Sequence, residues 1–209
     1  MKTNYQIELE RELARIEASG RRPRLLLHCC CAPCSSYVLE YLNRWFDIDL
    51  FYYNPNIAPR EEFDRRAAEL GRLADALPHE GAFKLIIGDY DADAFAAMCA
   101  GHEDDPEGGA RCERCFRMRL NRAARLAEEL GDDYFTTTLT ISPLKDAQLL
   151  NAIGMSLAGS VPWLPGDFKK KNGYKRSCEL SAQYGLYRQD YCGCVYSRLA
   201  RERQKMSPD

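Results

Sequence analysis

Short apolar runs rich in β-branched and aromatic residues alternate along this chain with longer segments of helical periodicity. The alternation is typical of β-α-β units, and it predicts an α/β fold with a Rossmann-like open, mainly parallel sheet and flanking helices. The 209 residues are 45% hydrophobic and contain no internal repeat or linker. A compact domain of this size buries roughly 70% of its unfolded surface. We therefore expect a single α/β domain over 23–209, preceded by a helical extension over 1–22.

The extension is expected to be amphipathic. A helix is predicted over 4–18, with Gly20 placed to end it. Its apolar stripe consists of Ile7, Leu9, Leu13 and Ile16. The apolar run 25–28 then predicts a buried strand, and a helix over 33–45 follows it. Pro33 suits the start of that helix, because a missing N–H does no harm there.

Two further β-α units are predicted after this first one. The second strand covers 48–53 and stops at an Asn-Pro-Asn turn, and a helix over 60–76 follows. The third strand covers 83–87 and ends at a glycine. Asp91 or Asp93 is placed to cap the next helix, since both can accept a hydrogen bond from its first turn.

The remaining elements begin with an acidic, glycine-rich loop over 103–109, followed by a helix over 111–131. A fourth strand and a helix are predicted over 134–139 and 144–153. The rest of the chain contains a loop over 161–167, a basic stretch over 169–171 and helices over 174–184 and 194–205.

Reactive and polar residues follow the strands. They lie in segments 29–34, 53–56, 89–90 and 140–143. Ligands of open parallel sheets bind outside the carboxyl ends of the strands, where such loops gather. We therefore expect a metal site at that edge.

Ten cysteines fall mainly in three clusters, over 29–34, 112–115 and 192–194. The first 19 residues are charged and have no apolar core, so they do not resemble a secretion signal. We expect a cytoplasmic location and no membrane segment. Cytosolic thiols stay free unless a metal or a catalytic cycle uses them, so the clusters predict a metal or redox centre.

Cys112 and Cys115 open a predicted helix, whose positive end is expected to lower thiol pKa values and favour the thiolates that metals bind. The pair fits either a tetrahedral zinc or a [4Fe–4S] site. Cys30 and Cys31 are expected to diverge, because they are neighbours in the chain. Thiols that point apart cannot easily bind the same ion, and this favours a cluster of several irons.

Cys192 and Cys194 are spaced to close a small strained disulfide, with Gly193 supplying backbone freedom. Strained, accessible disulfides are the labile and catalytic ones. The alternatives are two cluster ligands or reduced thiols at a helix start.

Cys34 follows one turn into its helix and can reach back to a second metal. Cys99 and Cys178 are expected to be structural, and Cys29 to point away from the site. His28 is either a group that orients a metal ligand or is satisfied by a backbone carbonyl. These assignments follow from position in the predicted elements.

No phosphate-binding glycine motif is present, and the loop after the first strand contains no glycine. This argues against the ATP-pyrophosphatase class of sulfur-inserting tRNA enzymes, which need such a loop there. The net charge of −2 leaves a nucleic-acid partner open.

The chain from about 25 to 199 resembles the QueH-type epoxyqueuosine reductases. The motifs that carry the resemblance are His28-Cys-Cys-Cys-Ala-Pro-Cys34, Tyr53-Asn-Pro-Asn-Ile57, Cys112-Glu-Arg-Cys115, Thr137-Thr-Leu139 with Ser142-Pro-x-Lys145, and Leu186-Tyr-Arg-Gln-x-Tyr-Cys-Gly-Cys194. The resemblance implies a tRNA-modifying oxidoreductase that removes the epoxide oxygen of epoxyqueuosine, the last step of queuosine synthesis. It implies a [4Fe–4S] cluster and an adjacent iron, without cobalamin.

The same resemblance implies roles for individual cysteines. It assigns Cys30, Cys31, Cys112 and Cys115 to the cluster. It also implies a redox-active disulfide between Cys192 and Cys194, in a catalytic domain over 23–209. The position of Cys34 is variable in this family, where an aspartate can stand there. Cys34 is a candidate ligand of the second iron because of its place one turn into the helix.

A mechanism can be formulated on this basis. Deoxygenation needs two electrons, a Lewis acid for the oxygen and protons to release water. The hypothesis gives these tasks to the cluster, the second iron and the dithiol. Asp89, Tyr90 and Tyr191 are candidate proton donors by placement, and the electron donor is unidentified.

The implied tRNA substrate requires phosphate contacts. The candidates are Lys169, Lys170, Lys171, Lys175, Arg176 and Arg188. The competing interpretation is a zinc-binding module that binds RNA or protein without redox activity.

Overall fold

The computed structural model describes residues 2–206. Residue 1 of the predicted extension and residues 207–209 of the predicted domain lie outside the described residues. The sheet has four strands: β1 (Arg24–His28), β2 (Asp47–Tyr52), β3 (Phe83–Ile87) and β4 (Tyr134–Thr137). All neighbouring strands are parallel, in the order β3-β2-β1-β4. The predicted α/β class with an open parallel sheet is confirmed.

Eight α-helices surround the sheet in the described residues. They are α1 (Tyr5–Ser19), α2 (Ala32–Leu42), α3 (Arg60–Ala76), α4 (Ala92–Cys99), α5 (Ala110–Leu130), α6 (Ala147–Leu157), α7 (Gly173–Gln183) and α8 (Val195–Met206). A 3₁₀ turn, Thr138–Ile141, follows β4. The strand β3 and the helix α3 have the predicted bounds.

Side-chain caps explain why the ends of other strands and helices differ from the predicted ends. The fourth strand stops at Thr137 because that hydroxyl accepts a hydrogen bond from the N–H of Leu139 at 3.2 Å and starts the 3₁₀ turn. The helix predicted from 144 begins at 147, where the Asp146 carboxylate accepts from the N–H of Gln148 at 2.7 Å. Asp91 caps α4, whereas Asp93 lies within its first turn.

Helix α1 packs against the same core as the sheet. Leu9, Leu13 and Ile16 are buried in a cluster with residues of β1 and β2, as the predicted stripe requires. Ile7 is 44% exposed and does not belong to that face. Gly20 ends the helix in the left-handed region, as predicted.

The position of β1 creates the functional edge. From β1 the chain moves through β2 to β3, and it then returns across the sheet to place β4 on the other side of β1. The carboxyl ends of β1 and β4 therefore form a topological switch point, where parallel α/β sheets bind ligands. His28 and Thr137, the last residues of these strands, lie opposite each other.

No helix within 2–206 is long and apolar enough to cross a membrane.

Candidate metal and redox centre

Three thiols converge directly after β1. The Sγ atoms of Cys30, Cys31 and Cys34 lie within 4.8 Å of one another, and those of Cys30 and Cys31 are 3.8 Å apart. In the part of the chain that the structure describes, this is the one group of three or more His, Cys or acidic residues close enough to share an ion. The expectation that neighbouring thiols diverge is wrong, because the chain bends at Cys30, between β1 and α2, and the two sulfurs lie on the same side of the bend. Cys34 reaches back to the pair, and its role as a ligand of a second metal stays a prediction.

Among the three thiols, the thiolate form is favoured at Cys30 and disfavoured at the other two. Hydrogen bonds from Cys31 and Cys34, followed by the positive charges of Arg119 and Lys145, lower the pKa of Cys30. Donating to Cys30 raises the pKa of Cys31 and of Cys34. Metal binding would displace these shared protons, since metals bind thiolates.

Cys112 and Cys115 lie in the first turns of α5. The Gly108 N–H donates to the Cys112 sulfur at 3.3 Å, and Cys115 is buried beside Phe95. Burial raises the pKa of Cys112, and it raises the pKa of Cys115 to about 12. The expected lowering by the helix N-terminus is therefore wrong, because loss of hydration outweighs it here.

Arg119 connects the two groups of cysteines. It lies one helical turn after Cys115 on the same face of α5, and its positive charge acts on that thiol, where it opposes the effect of burial on the pKa of Cys115. It also donates to the side-chain oxygen of Asn54. The Asn54 amide in turn donates to the carbonyl of Cys29 at 2.9 Å, so α5 is tied to the cysteine loop after β1.

Two cavities meet at this edge of the sheet. One, of about 690 Å³, is lined by the three cysteines that follow β1, and the other, of about 580 Å³, is lined by Cys112, Cys115 and Cys194. Both are also lined by Glu107, Lys145 and Cys192. The distant cysteine clusters of the sequence therefore line two cavities that share these three residues.

The segment that contains Cys192 and Cys194 is held by backbone contacts. The Ala58 N–H donates to the Gly193 carbonyl at 3.0 Å, and the Cys192 N–H donates to the Ser197 hydroxyl at 3.0 Å. Gly193 has φ = 118°, which favours glycine. Both thiols are free. The disulfide therefore stays a prediction, on a segment whose backbone is well fixed.

The family of the chain follows from comparison with known sequences. The model of the family described as "Epoxyqueuosine reductase QueH" matches residues 25–200. The chain belongs to this family. Proteins named epoxyqueuosine reductase QueH include that of Staphylococcus epidermidis, which is 42% identical over 204 residues, covering 95% of this chain and 86% of the relative. The relative from Streptococcus pyogenes is 41% identical (94% and 80% covered), and that from Thermotoga maritima is 32% identical (86% and 93%).

Other cysteines of this QueH-family chain lie outside the cavities. Cys29 is fully buried and its thiol donates to the Leu27 carbonyl at 3.3 Å, so it points into the core as expected. Cys99 is also fully buried. Cys178 is half-buried on α7 and lines neither cavity.

His28 adopts the role of a satisfied core residue. Its Nε2 lies 3.1 Å from the Tyr53 carbonyl and must donate, so Nδ1 accepts from the Thr137 hydroxyl at 2.8 Å. Burial lowers its pKa to about 3. Of the two interpretations of His28, the structure therefore agrees with the one in which a backbone carbonyl satisfies the ring.

The three candidate proton donors occupy different places. Tyr191 lines the larger cavity. Asp89 and Tyr90 follow β3, the edge strand, and line neither cavity. Their loop lies two strands away from the switch point, which the linear sequence does not reveal.

The basic candidates divide by their partners. Lys169 pairs with Asp167 at 2.9 Å. Lys171 and Arg176 also pair with carboxylates, those of Glu10 and Glu40. The remaining candidates have no carboxylate partner within residues 2–206: Lys170, Lys175 and Arg188. Of all six, Arg188 lines a cavity.

The sequence pattern did not indicate four basic residues that line the larger cavity: Arg66, Arg119, Lys145 and Arg201. Arginines at helical spacing normally indicate a solvated face. Lys145 belongs to the motif Ser142-Pro-x-Lys145 that carries the family resemblance, but the motif by itself does not indicate a role for this lysine.

Proposed function

We propose that this chain is an epoxyqueuosine reductase, which reduces epoxyqueuosine to queuosine in tRNA in the last step of queuosine biosynthesis. The observation that carries the proposal is the lining of two adjoining cavities by the cysteines of a family whose model matches 25–200. A zinc-binding module without redox activity is not favoured, since the relatives are named as reductases.

We further propose that Cys30, Cys31, Cys112 and Cys115 bind a [4Fe–4S] cluster and that Cys34 contributes to a second iron beside it. The donor set fits, because iron–sulfur clusters are held by thiolates. The charge also fits: Arg119 and Lys145 face these sulfurs, and neither pairs with a carboxylate in residues 2–206. When bound, the iron centre would supply single-electron transfer and Lewis acidity.

The dithiol of Cys192 and Cys194 is proposed as the catalytic redox pair. Epoxide deoxygenation breaks two C–O bonds, forms an alkene and needs two electrons and two protons. Closure of a dithiol to a disulfide releases two electrons and two protons. One epoxide and one dithiol therefore give one alkene, one water and one disulfide. A separate electron donor must then reduce the disulfide.

Several groups of this chain surround the reacting region. Lys145 and Glu107 line both cavities beside Cys192. The Ser197 hydroxyl donates to the Glu107 carboxylate at 3.1 Å while accepting from the Cys192 N–H. Glu107 is therefore the proposed acceptor of the protons that the dithiol releases, since it lines both cavities beside Cys192. Tyr191, on the same segment, is the proposed donor toward the substrate oxygen.

The tRNA is proposed to bind across the rim of the larger cavity. Arg188 and the exposed Tyr174 line it, so they are placed to contact a phosphate and a base. The other proposed phosphate contacts are Lys169, Lys170, Lys171, Lys175 and Arg176. A tRNA substrate is consistent with a cytoplasmic location, with 23–209 as the catalytic domain and 1–22 as an extension.

The direct test uses anaerobically purified, chemically reduced protein. It is incubated with tRNA that carries epoxyqueuosine, and queuosine is measured by mass spectrometry after digestion. Cys192→Ser should abolish turnover with a protein reductant, whereas Cys178→Ser, at a thiol outside both cavities, should leave it intact. Iron-loaded protein that forms no queuosine would refute the proposed function.

A further inference from the structure

Arg119 is an arginine whose charge is buried without a carboxylate partner. The residue is 1% exposed, and within 2–206 no carboxylate oxygen lies within 4.0 Å of its guanidinium. Leaving such a charge uncompensated in the protein interior is strongly unfavourable. Some other group must therefore balance it.

The neighbours of Arg119 identify that group. Its hydrogen bond to Asn54 is made to a neutral amide oxygen, and its Nε is buried without a hydrogen-bond partner. The ionisable groups that interact with it most strongly are the thiols of Cys115, Cys30 and Cys192. The first belongs to α5 and the second to the loop after β1, so the guanidinium lies between the two proposed halves of the ligand set.

We propose that Arg119 is a positioning residue whose charge balances an anionic iron–thiolate centre between Cys30 and Cys115 and raises its reduction potential. This inference rests on the proposed function, because it requires the iron centre. A [4Fe–4S] cluster with four thiolate ligands is anionic and gains a further negative charge on reduction. A fixed cation beside it stabilises the reduced form more than the oxidised form.

If Arg119 had a purely structural role, its hydrogen bond would matter and its charge would not. The residue also joins α5 to the loop after β2 through Asn54, and any donor of similar reach could serve that purpose. Glutamine keeps a donor and removes the charge, while lysine keeps the charge and alters the shape. The two substitutions therefore separate charge from packing.

The test is a redox titration of anaerobically purified holoprotein, followed by electron paramagnetic resonance, with iron and sulfide measured on each sample. Arg119→Gln should lower the midpoint potential, so that the ratio of reduced to oxidised centre at a fixed potential falls about tenfold, or about 59 mV for one electron. Arg119→Lys should retain the potential. Arg125→Gln, an exposed arginine on the same helix, is the matched control and should have no effect.

An unchanged midpoint in iron-loaded Arg119→Gln would overturn the inference. A second variant covers poor folding: Asn54→Asp places a carboxylate against the guanidinium and should lower the potential in the same direction. If Arg119→Lys retains iron and Arg119→Gln does not, the result would support the role of charge. If neither Arg119 variant folds, an unchanged midpoint potential in Asn54→Asp would overturn the inference. Wild-type protein without iron or sulfide would instead refute the proposed function, so the two failures are distinguishable.

Discussion

The Arg66 guanidinium donates a hydrogen bond of 3.3 Å to the backbone carbonyl of Cys192, 126 residues further along the chain. Arg66 is 2% exposed, and its Nε donates to the Glu62 carboxylate at 2.7 Å. The Tyr187 hydroxyl reaches the same carboxylate at 3.2 Å. Helix α3 therefore positions the segment that contains the proposed redox pair.

Substituting Arg66 should cost both stability and turnover. Arg66→Met leaves the largely buried Glu62 carboxylate unpaired, and we expect the free energy of unfolding to fall by about 3 kcal/mol in urea denaturation. The double variant Arg66→Met with Glu62→Gln should lose less stability, because it leaves no unpaired carboxylate. The control is Arg60→Met, because Arg60 and Asp64 form an exposed pair on the same helix, worth under about 1 kcal/mol. Equal losses at both sites would show that the Arg66 pair has no special role.

Gly193→Ala should disturb the redox segment. An added Cβ would lie 2.9 Å from both the Arg66 guanidinium and the Ile57 side chain, at a φ of 118°. We expect a stability loss of about 1–3 kcal/mol and slower reduction of the disulfide by dithiothreitol. Gly101→Ala, also at positive φ but with no atom within 4 Å of its Cβ, is the control for strain alone. Identical disulfide kinetics in the two variants would contradict the positioning role.

Cys34 should affect iron content without affecting sulfide. If it binds the second iron, Cys34→Ser should lower the ratio of iron to acid-labile sulfide by about one iron per cluster, while Cys34→Asp should retain it. Cys178→Ser is the control at a thiol outside the cavities. Loss of sulfide in Cys34→Ser would instead place this thiol among the cluster ligands.

Basic residues without carboxylate partners should dominate tRNA affinity. Changing Lys170, Lys175 and Arg188 together to Gln should reduce the slope of log K against log salt by about 2, because each phosphate contact contributes roughly 0.7–0.9. Changing Lys169 and Lys171 to Gln should have a smaller effect, since both already form ion pairs. Filter binding over a range of salt concentrations measures both slopes, and the reverse ranking would contradict this surface.

Asp132 should make stability depend on pH. Burial, followed by the nearby charge of Asp49, raises its pKa from 3.8 to about 6. Between these values the folded protein binds a proton that the unfolded chain does not, so stability falls as pH rises through this range and the penalty is complete above it. Asp132→Asn should therefore add about 3 kcal/mol at pH 8 and little at pH 3.5. Urea denaturation at both pH values measures the difference, and an equal effect at each would be inconsistent with the raised pKa.

The local pattern of the sequence was sufficient for the sheet and most helices, because buried strands and amphipathic helices have different periods. Residues 83–87 and 60–76 illustrate this, since both have the predicted bounds. Strand and helix ends were harder, because side-chain caps such as that of Thr137 compete with the periodic pattern. Motif spacing indicated the cysteines that line the cavities.

Other features of the site depend on tertiary placement. The convergence of Cys30 and Cys31 follows from the bend of the chain at Cys30, and the raised pKa of Cys115 follows from burial. Neither can be derived from residue type. Arg66 and Arg119 resemble ordinary surface arginines in the sequence, and only the packing of α3 and α5 shows that they are buried.

The central proposal is that cysteines from two distant segments, 30–34 and 112–115, hold iron in a sulfide-containing cluster at the switch point of the sheet. Iron and acid-labile sulfide analysis of anaerobically purified protein tests it most directly. We expect about four sulfides and four to five irons per chain, both lost together in Cys30→Ser or Cys115→Ser. A colourless protein that carries one zinc and no sulfide would contradict it.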